Sequence, residues 1–216
     1  MKKNQKSFCV AGLLLLMFLL WTIAIQNIDV QAIGPRESKV GFAALNGWFH
    51  SITGVNWLLY NITDWLGLVP LCFCFGFAIL GLTQLIKRRS LLKVDGDILV
   101  LGGFYIIVIA AYVAFEVFAI NYRPVLINDY LEASYPPSTT LLVMCVMPTV
   151  IMQLNKRMKN TLFRKIVDCV IVAFVIFMVV GRLISGVHWI TDIIGSLFLS
   201  FGLVLIYYSI INTKQD

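Results

Sequence analysis

Six apolar runs, each close to the length that crosses a bilayer, constrain this chain more than any other feature. A membrane-spanning helix needs about 20 mostly apolar residues. A composition that is 60% hydrophobic and 13% charged exceeds what one soluble core of 216 residues could bury. The sequence therefore predicts an all-α, polytopic membrane protein, with one domain over residues 1–216 built as a six-helix transmembrane bundle. The predicted spans are 8–25, 65–86, 98–120, 139–154, 166–183 and 189–211.

The N-terminal part of the chain holds the first span and a separate amphipathic segment. The first run follows Lys2, Lys3 and Lys6, as a signal peptide would, but its length and the five later runs favour a retained signal anchor. Residues 40–60 are rich in Phe, Trp and Gly without forming a continuous apolar run. This segment is predicted to be an interfacial helix after the first span, on the outer membrane surface.

Lys and Arg residues are distributed unevenly between the two ends of the predicted spans. With a cytoplasmic N-terminus, 13 of the 17 lie on the cytoplasmic side, where membrane proteins carry their excess positive charge. We therefore expect a multi-pass cell-membrane protein with its N-terminus in the cytoplasm. The net charge of +6 then reflects topology, and nucleic acid is not an expected partner. The four outward basic residues are Arg36, Lys39, Arg123 and Arg182.

Cysteine and histidine usage predicts neither a disulfide framework nor a metal site. His50 and His188 are far apart in sequence and have no zinc-type spacing with any cysteine. The five cysteines lie in or at the edge of apolar runs: Cys9, Cys72, Cys74, Cys145 and Cys169.

Residues 116–124, 136–140 and 181–192 bring unusual polar content to the predicted outer ends of the spans. His188 and Asp192 are four apart, so on a helix the carboxylate can accept a hydrogen bond from one imidazole nitrogen. The other nitrogen is then free to attack. Arg182 ends span five and can fold back toward them, with a planar fork of donors suited to phosphate oxygens.

Two further features complete a predicted phosphate site. Arg123, followed by a proline, supplies a second guanidinium fork. Ser138 is a good N-cap for span four, and the backbone N–H groups of that first turn, with Thr139 and Thr140, form an anion site. Together with His188 as nucleophile, these residues predict a site that binds a phosphate ester.

These residues resemble the three motifs of the type 2 phosphatidic acid phosphatase superfamily. The family motifs are Lys-x6-Arg-Pro, Pro-Ser-Gly-His and Ser-Arg-x5-His-x3-Asp. The resemblance covers residues 116–192 and all three motifs occur in order. In this chain the matching residues are Arg123-Pro124, Pro137-Ser138 and Arg182-x5-His188-x3-Asp192.

The resemblance implies an integral membrane lipid phosphatase or phosphotransferase, a hydrolase of phosphoric esters or pyrophosphates. Its expected substrates are lipid phosphates such as undecaprenyl pyrophosphate or phosphatidic acid, met at the outer face of a bacterial plasma membrane. It implies that His188 forms a phosphohistidine, that Asp192 orients it, and that Arg123, Ser138 and Arg182 bind phosphate. The family needs no metal, so no cofactor is expected.

Four positions depart from the family pattern: Glu116 replaces the motif Lys, Gly181 the motif Ser, Thr139 the motif Gly and Thr140 the second His. That His protonates the leaving group in the family. A Thr hydroxyl is not a general acid near neutral pH, and loss of such an acid typically costs about 10²- to 10⁴-fold in rate. Phosphate, with a second pKa of about 6, leaves far more readily than an alkoxide. A pyrophosphate substrate is therefore favoured over a monoester.

Several alternatives remain open. Glu116 lies two helical turns before Arg123 and is interpreted as an ion-pair partner of Arg123 or Arg182, a replacement acid kept protonated by burial, or a contact for a cationic or sugar headgroup. Asp64 is expected to cap a helix or lie at the interface, and Glu132 to face water. The alternative function is a catalytically silent relative that binds or carries a phospholipid headgroup. A transporter is disfavoured because the polar residues lie at span ends instead of the midplane.

Overall fold

The described part of the chain folds into eight α-helices joined by turns and longer loops. The computed structural model describes residues 2–213, with side chains over 4–213. Within these residues no strand forms, and β-pairing is limited to isolated bridges. The helices are α1 (Lys2–Asn27), α2 (Ala43–Thr53), α3 (Trp57–Leu66), α4 (Leu68–Arg88), α5 (Gly96–Val117), α6 (Ser138–Arg157), α7 (Thr161–Ile184) and α8 (Ile190–Thr213).

Six helical stretches in the described part are long and apolar enough to cross a membrane. Side chains such as Leu13 and Leu20 are exposed on the outside of the bundle, where only lipid tails would accept them without cost. The predicted all-α, six-span architecture is confirmed. The stretches are Asn4–Asn27, Trp57–Arg88, Gly96–Val117, Ser138–Arg157, Thr161–Ile184 and Ile190–Thr213.

The second span begins earlier than predicted, at Trp57 instead of residue 65. The side chain of Asn56 accepts a hydrogen bond from Leu59 N (2.9 Å) and caps α3, which runs on into α4. The separate helix after the first span, α2, therefore ends at Thr53 instead of residue 60. Gly54 ends it with a φ of +56°, a conformation that glycine adopts without steric cost. Hydropathy alone does not show that a new helix, capped by Asn56, begins at Trp57.

Helix α6 lies at the centre of the bundle and packs against α4, α5, α7 and α8. Its buried side chains include Leu141, Val143, Cys145, Val146 and Val150. Because this helix is surrounded on all sides, the groups at its N-terminus lie in the middle of one end of the bundle. We call this end, where α6 begins and α7 terminates, the site end.

The loop between α5 and α6 folds into a hairpin over the site end. Arg123 N donates to Glu132 O (3.1 Å), and Ser134 N donates to Asn121 O (2.8 Å). The ring of Tyr135 packs directly on Gly195 of α8, where an added Cβ would lie only 2.3 Å from the ring. This contact holds the hairpin against α8. The hairpin, residues 118–137, thus brings its polar side chains next to the start of α8.

Helix α3 packs against α7 at Gly181, where there is no room for a side chain. A Cβ at Gly181 would lie 2.8 Å from Cγ2 of Thr63. Thr63 cannot turn away easily, since its hydroxyl donates to the carbonyls of Leu59 and Tyr60 at 2.8 and 3.0 Å. Tyr60 lies one helical turn before Thr63 and Asp64 on α3, so it neighbours both of them. The close approach therefore carries Tyr60 and Asp64 over the end of α7.

Replacing Gly181 with Ala should destabilise the protein by about 1–3 kcal/mol, because the added methyl overpacks the contact between α3 and α7. Thermal unfolding in detergent measures the effect. The matched control is Gly102→Ala on α5, where an added Cβ meets nothing within 4 Å and helix propensity should raise stability by about 0.5–1 kcal/mol. An equal shift in both variants would contradict the packing role of Gly181.

Candidate functional site

Three segments that are distant in sequence converge at the site end. Arg123 comes from the hairpin, Arg182 from the last turn of α7, and His188 from the turn before α8. Both guanidinium groups lie over the ring of Tyr60, with Cζ to centroid distances of 5.9 Å for Arg123 and 4.9 Å for Arg182. All three side chains are buried, with exposed fractions of 8%, 1% and 3% in chain order. Two positive charges and an imidazole thus share one enclosed region.

Arg182 is held by groups from α3 and α6. Its Nη2 donates to Asp64 Oδ1 (2.9 Å) and to Thr139 Oγ1 (2.7 Å), and its Nη1 donates to Tyr60 O (3.5 Å). Burial of a guanidinium is costly unless it is paired, and Asp64 supplies the compensating charge. The Asp64 side chain is 53% exposed, so this ion pair lies at an opening toward the surface.

Arg123 is held within its own hairpin. Its Nη2 pairs with Glu132 Oε2 at 3.1 Å, and its Nε donates to Ala133 O at 3.4 Å. The hairpin therefore fixes one side of the guanidinium and leaves Nη1 on the other.

The carboxylates near the two arginines differ from those that the sequence suggested. Asp64 lies inside α3 and caps no helix, so its predicted capping role is wrong. Its side chain is 53% exposed and that of Glu132 36% exposed, and the sequence did not indicate their ion pairs with Arg182 and Arg123. Glu116 has an exposed side chain near the end of α5, and its expected pairing with either arginine is not among the ion pairs of the described residues. It also lacks the burial that a replacement acid would need.

Helix α6 begins one residue earlier than the capping prediction required. Pro137 occupies the N-cap position and its carbonyl accepts the first helical hydrogen bond, from Leu141 N (2.9 Å). Ser138 is therefore the first helical residue, and its prediction as the N-cap is wrong. The N–H groups of Ser138, Thr139 and Thr140 precede that first bond and have no acceptor within the helix.

His188 contacts Asp192 through a serine instead of directly. Helix α8 begins at Ile190, so His188 lies outside it and the helical i to i+4 geometry does not apply. Its Nδ1 is 2.9 Å from Ser134 Oγ, which donates to Asp192 Oδ2 at 2.5 Å. A carboxylate only accepts, so the serine hydroxyl in turn accepts from Nδ1–H. The expected direct bond is replaced by a relay of His188, Ser134 and Asp192.

Asp192 is fixed by three donors, which determine the position of the relay. Asn121 Nδ2 donates to Oδ1 at 3.0 Å, while the hydroxyl of Ser134 and the backbone N–H of Trp189 (3.3 Å) donate to Oδ2. Asn121, Ser134 and Asp192 are all buried. Two of the three donors come from the hairpin, so the hairpin aligns the imidazole as well as Arg123.

The surroundings of His188 favour the neutral form of its imidazole. Burial lowers its pKa well below the ordinary value, the charges of Arg123 and Arg182 lower it further, and a hydrogen bond to the backbone of Ser134 opposes the shift. Because Nδ1 carries the proton that Ser134 accepts, Nε2 carries the free lone pair. The nitrogen available to a substrate is therefore unprotonated near neutral pH.

Three buried donors of this region have no hydrogen-bond partner within the described residues: Arg123 Nη1, Arg182 Nε and Thr140 Oγ1. Buried polar groups in native proteins are almost always paired. Together with the free N–H groups of α6, these donors would be satisfied by a ligand that presents several oxygens and negative charge. The arrangement thus favours a phosphate group beside His188.

Sequence reasoning missed four residues of this site: Tyr60, Asp64, Asn121 and Ser134. Tyr60 and Asp64 lie on a helix before the motif region, and Asn121 and Ser134 lie in a loop. None has a spacing that indicates a role. The one signal available in the sequence is that Asn121 and Ser134 are polar and lie close to the motif segments, two positions before Arg123 and three before Pro137.

Comparison with known proteins agrees with this site and fold. A family model described as the PAP2 superfamily matches residues 98–216. A solved structure, described as the first transmembrane PAP2 type phosphatidylglycerolphosphate phosphatase from Bacillus subtilis, superimposes with a TM-score of 0.65 at 17% identity. That match covers 94% of this chain and 96% of the other. No curated protein matches the chain by sequence.

The family match includes all three motif segments and spans more than half of the chain. It supports a membrane lipid phosphatase as the kind of function, on a fold that the Bacillus subtilis structure shares. The chain is therefore a multi-pass membrane protein that belongs to the PAP2 superfamily.

Proposed function

We propose that this protein removes or transfers the phosphoryl group of a lipid phosphate or pyrophosphate through a phosphohistidine at His188. The observation that carries the proposal is the buried imidazole, whose pKa is lowered, beside two guanidinium groups that each keep one buried donor without a partner in the described residues. A phosphate supplies the acceptors that these donors lack. The oriented Nε2 supplies the nucleophile.

In the first step, the Nε2 lone pair attacks phosphorus and forms an N–P bond. The bond between phosphorus and the bridging oxygen breaks, and its electron pair leaves with that oxygen. Arg123, Arg182 and the α6 N–H groups stabilise the equatorial oxygens, where the charge of the transition state lies. In the second step, the oxygen of water or of an acceptor hydroxyl forms a bond to phosphorus and the N–P bond breaks. The electron pair of that bond returns to Nε2, the hydroxyl proton passes to solvent, and phosphate or a new ester is released.

The leaving group decides the substrate class. Thr140 stands where the family has its acid, and its hydroxyl cannot protonate an alkoxide near neutral pH. The leaving group of a pyrophosphate is a phosphate ester, which departs as a stable anion without a proton. A lipid pyrophosphate such as undecaprenyl pyrophosphate is therefore the preferred substrate of this proposal, ahead of phosphatidic acid.

We further propose that the site faces the outer leaflet of a bacterial plasma membrane. Supporting this orientation, most basic residues lie at the opposite end of the bundle, which membrane proteins keep in the cytoplasm. At the site end, Trp48, Trp57 and Trp65 are exposed, as expected for an interfacial aromatic belt. A lipid headgroup at this depth reaches the opening beside Asp64.

Purified protein should release phosphate from lipid phosphates, and His188→Ala should fall to the background of heat-inactivated protein. The panel is undecaprenyl pyrophosphate, phosphatidic acid and phosphatidylglycerolphosphate, the last because the Bacillus subtilis neighbour is described as its phosphatase. His50→Ala, the other histidine, is the matched control and should stay active. If wild type and His188→Ala both release phosphate only at background level, the proposed enzymatic function is contradicted. Lipid binding without release would then support the alternative, a silent relative that holds a headgroup.

Thr140→His should raise activity on monoesters more than activity on pyrophosphates, because only the monoester leaving group needs the acid. The gain on phosphatidic acid is expected to reach about 10²- to 10⁴-fold if the new imidazole is well placed. Thr140→Ser keeps a hydroxyl and should leave the ratio of the two activities unchanged. Rates on both substrate classes provide the measurement. A uniform gain, or none, would contradict the leaving-group argument.

The imidazole of His188 should take up its proton only well below about pH 6.5, the ordinary histidine pKa, since burial and two arginines lower its pKa. Activity that needs free Nε2 should persist into that acidity and disappear as the pH falls through the lowered pKa. An NMR titration of His50→Phe protein without a histidine tag reports His188 alone, because the chain has two histidines. Arg123→Gln should raise the pKa. A wild-type midpoint at or above 6.5 would rule out the predicted shift.

A further inference from the structure

We infer that Ser134 is the positioning residue of the nucleophile, linking His188 to Asp192 and fixing which imidazole nitrogen carries the proton. This inference rests on the proposed function, in which Nε2 attacks phosphorus. Ser134 lies in the hairpin, outside the motif residues. Its role follows from its contacts.

The hydroxyl of Ser134 lies between the two functional side chains. It is 2.9 Å from Nδ1 of His188 and 2.5 Å from Oδ2 of Asp192, and the residue is 1% exposed. Since no bulk water reaches it, the hydroxyl hydrogen can point to few acceptors. The carboxylate takes that hydrogen, so the oxygen lone pairs face Nδ1. Only the tautomer with hydrogen on Nδ1 makes a bond there.

This arrangement does for His188 what a directly bonded carboxylate does in other histidine sites. When Nε2 attacks phosphorus, the ring becomes positively charged. Its Nδ1–H bond to a hydroxyl that is polarised by Asp192 stabilises that charge. No proton needs to leave the ring, because the relay acts through orientation and polarisation. Ser134 therefore acts through the imidazole and touches no substrate atom.

The hairpin couples this orientation to phosphate binding. Ser134 N donates to Asn121 O (2.8 Å), and Asn121 in turn donates to the other oxygen of Asp192 (3.0 Å). Arg123 lies in the same arm of the hairpin as Asn121, two residues further on, and pairs with Glu132 of the other arm. A phosphate bound at Arg123 therefore contacts the same loop that holds Asn121 and Ser134. Binding and alignment of the nucleophile depend on one loop.

The test combines kinetics with the state of the imidazole. Ser134→Ala should lower kcat by about 10- to 100-fold, the scale of one lost hydrogen bond to a charged group, while KM changes little. The ¹⁵N shifts of neutral His188, read in the His50→Phe background, should change from the Nδ1–H tautomer to a mixture. Ser134→Thr keeps the hydroxyl and should restore both readouts. Ser51→Ala, at an exposed serine on α2, is the matched control and should change neither.

The outcomes separate this inference from the proposed function. An active enzyme in which Ser134→Ala keeps full kcat and the Nδ1–H tautomer overturns the role of Ser134 and leaves the phosphatase standing. A change of tautomer in a protein that releases no phosphate supports the role of Ser134 and removes the phosphatase. If Ser134→Ala fails to fold, the tautomer of neutral His188 in the otherwise wild-type protein tests the inference. A neutral His188 protonated at Nε2 would overturn the inference without any variant.

Discussion

The burial of the Arg182 guanidinium is the constraint around which the site end is organised. A charge with an exposed fraction of 1% is costly unless it is paired, and the partners must come from neighbouring helices. Asp64 on α3 supplies the opposite charge, Thr139 on α6 a hydroxyl, and Tyr60 a carbonyl and an aromatic face. These contacts hold α3, α6 and α7 together at one point. The same buried charge helps to keep His188 neutral.

The hairpin between α5 and α6 provides the second half of the arrangement. It is a loop without regular strands, yet Tyr135 anchors it on α8 and two backbone hydrogen bonds close it. The hairpin thereby places Arg123 over the ring of Tyr60, beside Arg182. It also places Ser134 between His188 and Asp192. One loop thus supplies a phosphate donor and the alignment of the nucleophile.

The departures from the family motifs have separate physical reasons. Gly181 stands where the family has serine because Thr63 of α3 fills the space of a side chain. Thr139 uses its hydroxyl to hold Arg182. Thr140 has a buried hydroxyl without a partner in the described residues. Because this hydroxyl is not a general acid, the proposed reaction is restricted to substrates with good leaving groups. Glu116 lies exposed near the end of α5, apart from the two arginines' ion pairs.

The sequence by itself determined the membrane class and the six spans, because apolar length is a local property of a chain. The motif segments at the outer ends of the spans predicted that Arg123, Arg182 and His188 lie together, since those ends meet on one side of the bundle. Only the tertiary structure decided how the charges are paired and how the imidazole is held. Asp64, Glu132 and Ser134 provide these contacts. No regular spacing in the sequence relates them to the residues that they hold. Asp64 precedes Arg182 by more than one hundred residues, and Ser134 precedes His188 by more than fifty. Such contacts arise from packing between helices and a folded loop, which hydropathy and motif spacing do not encode.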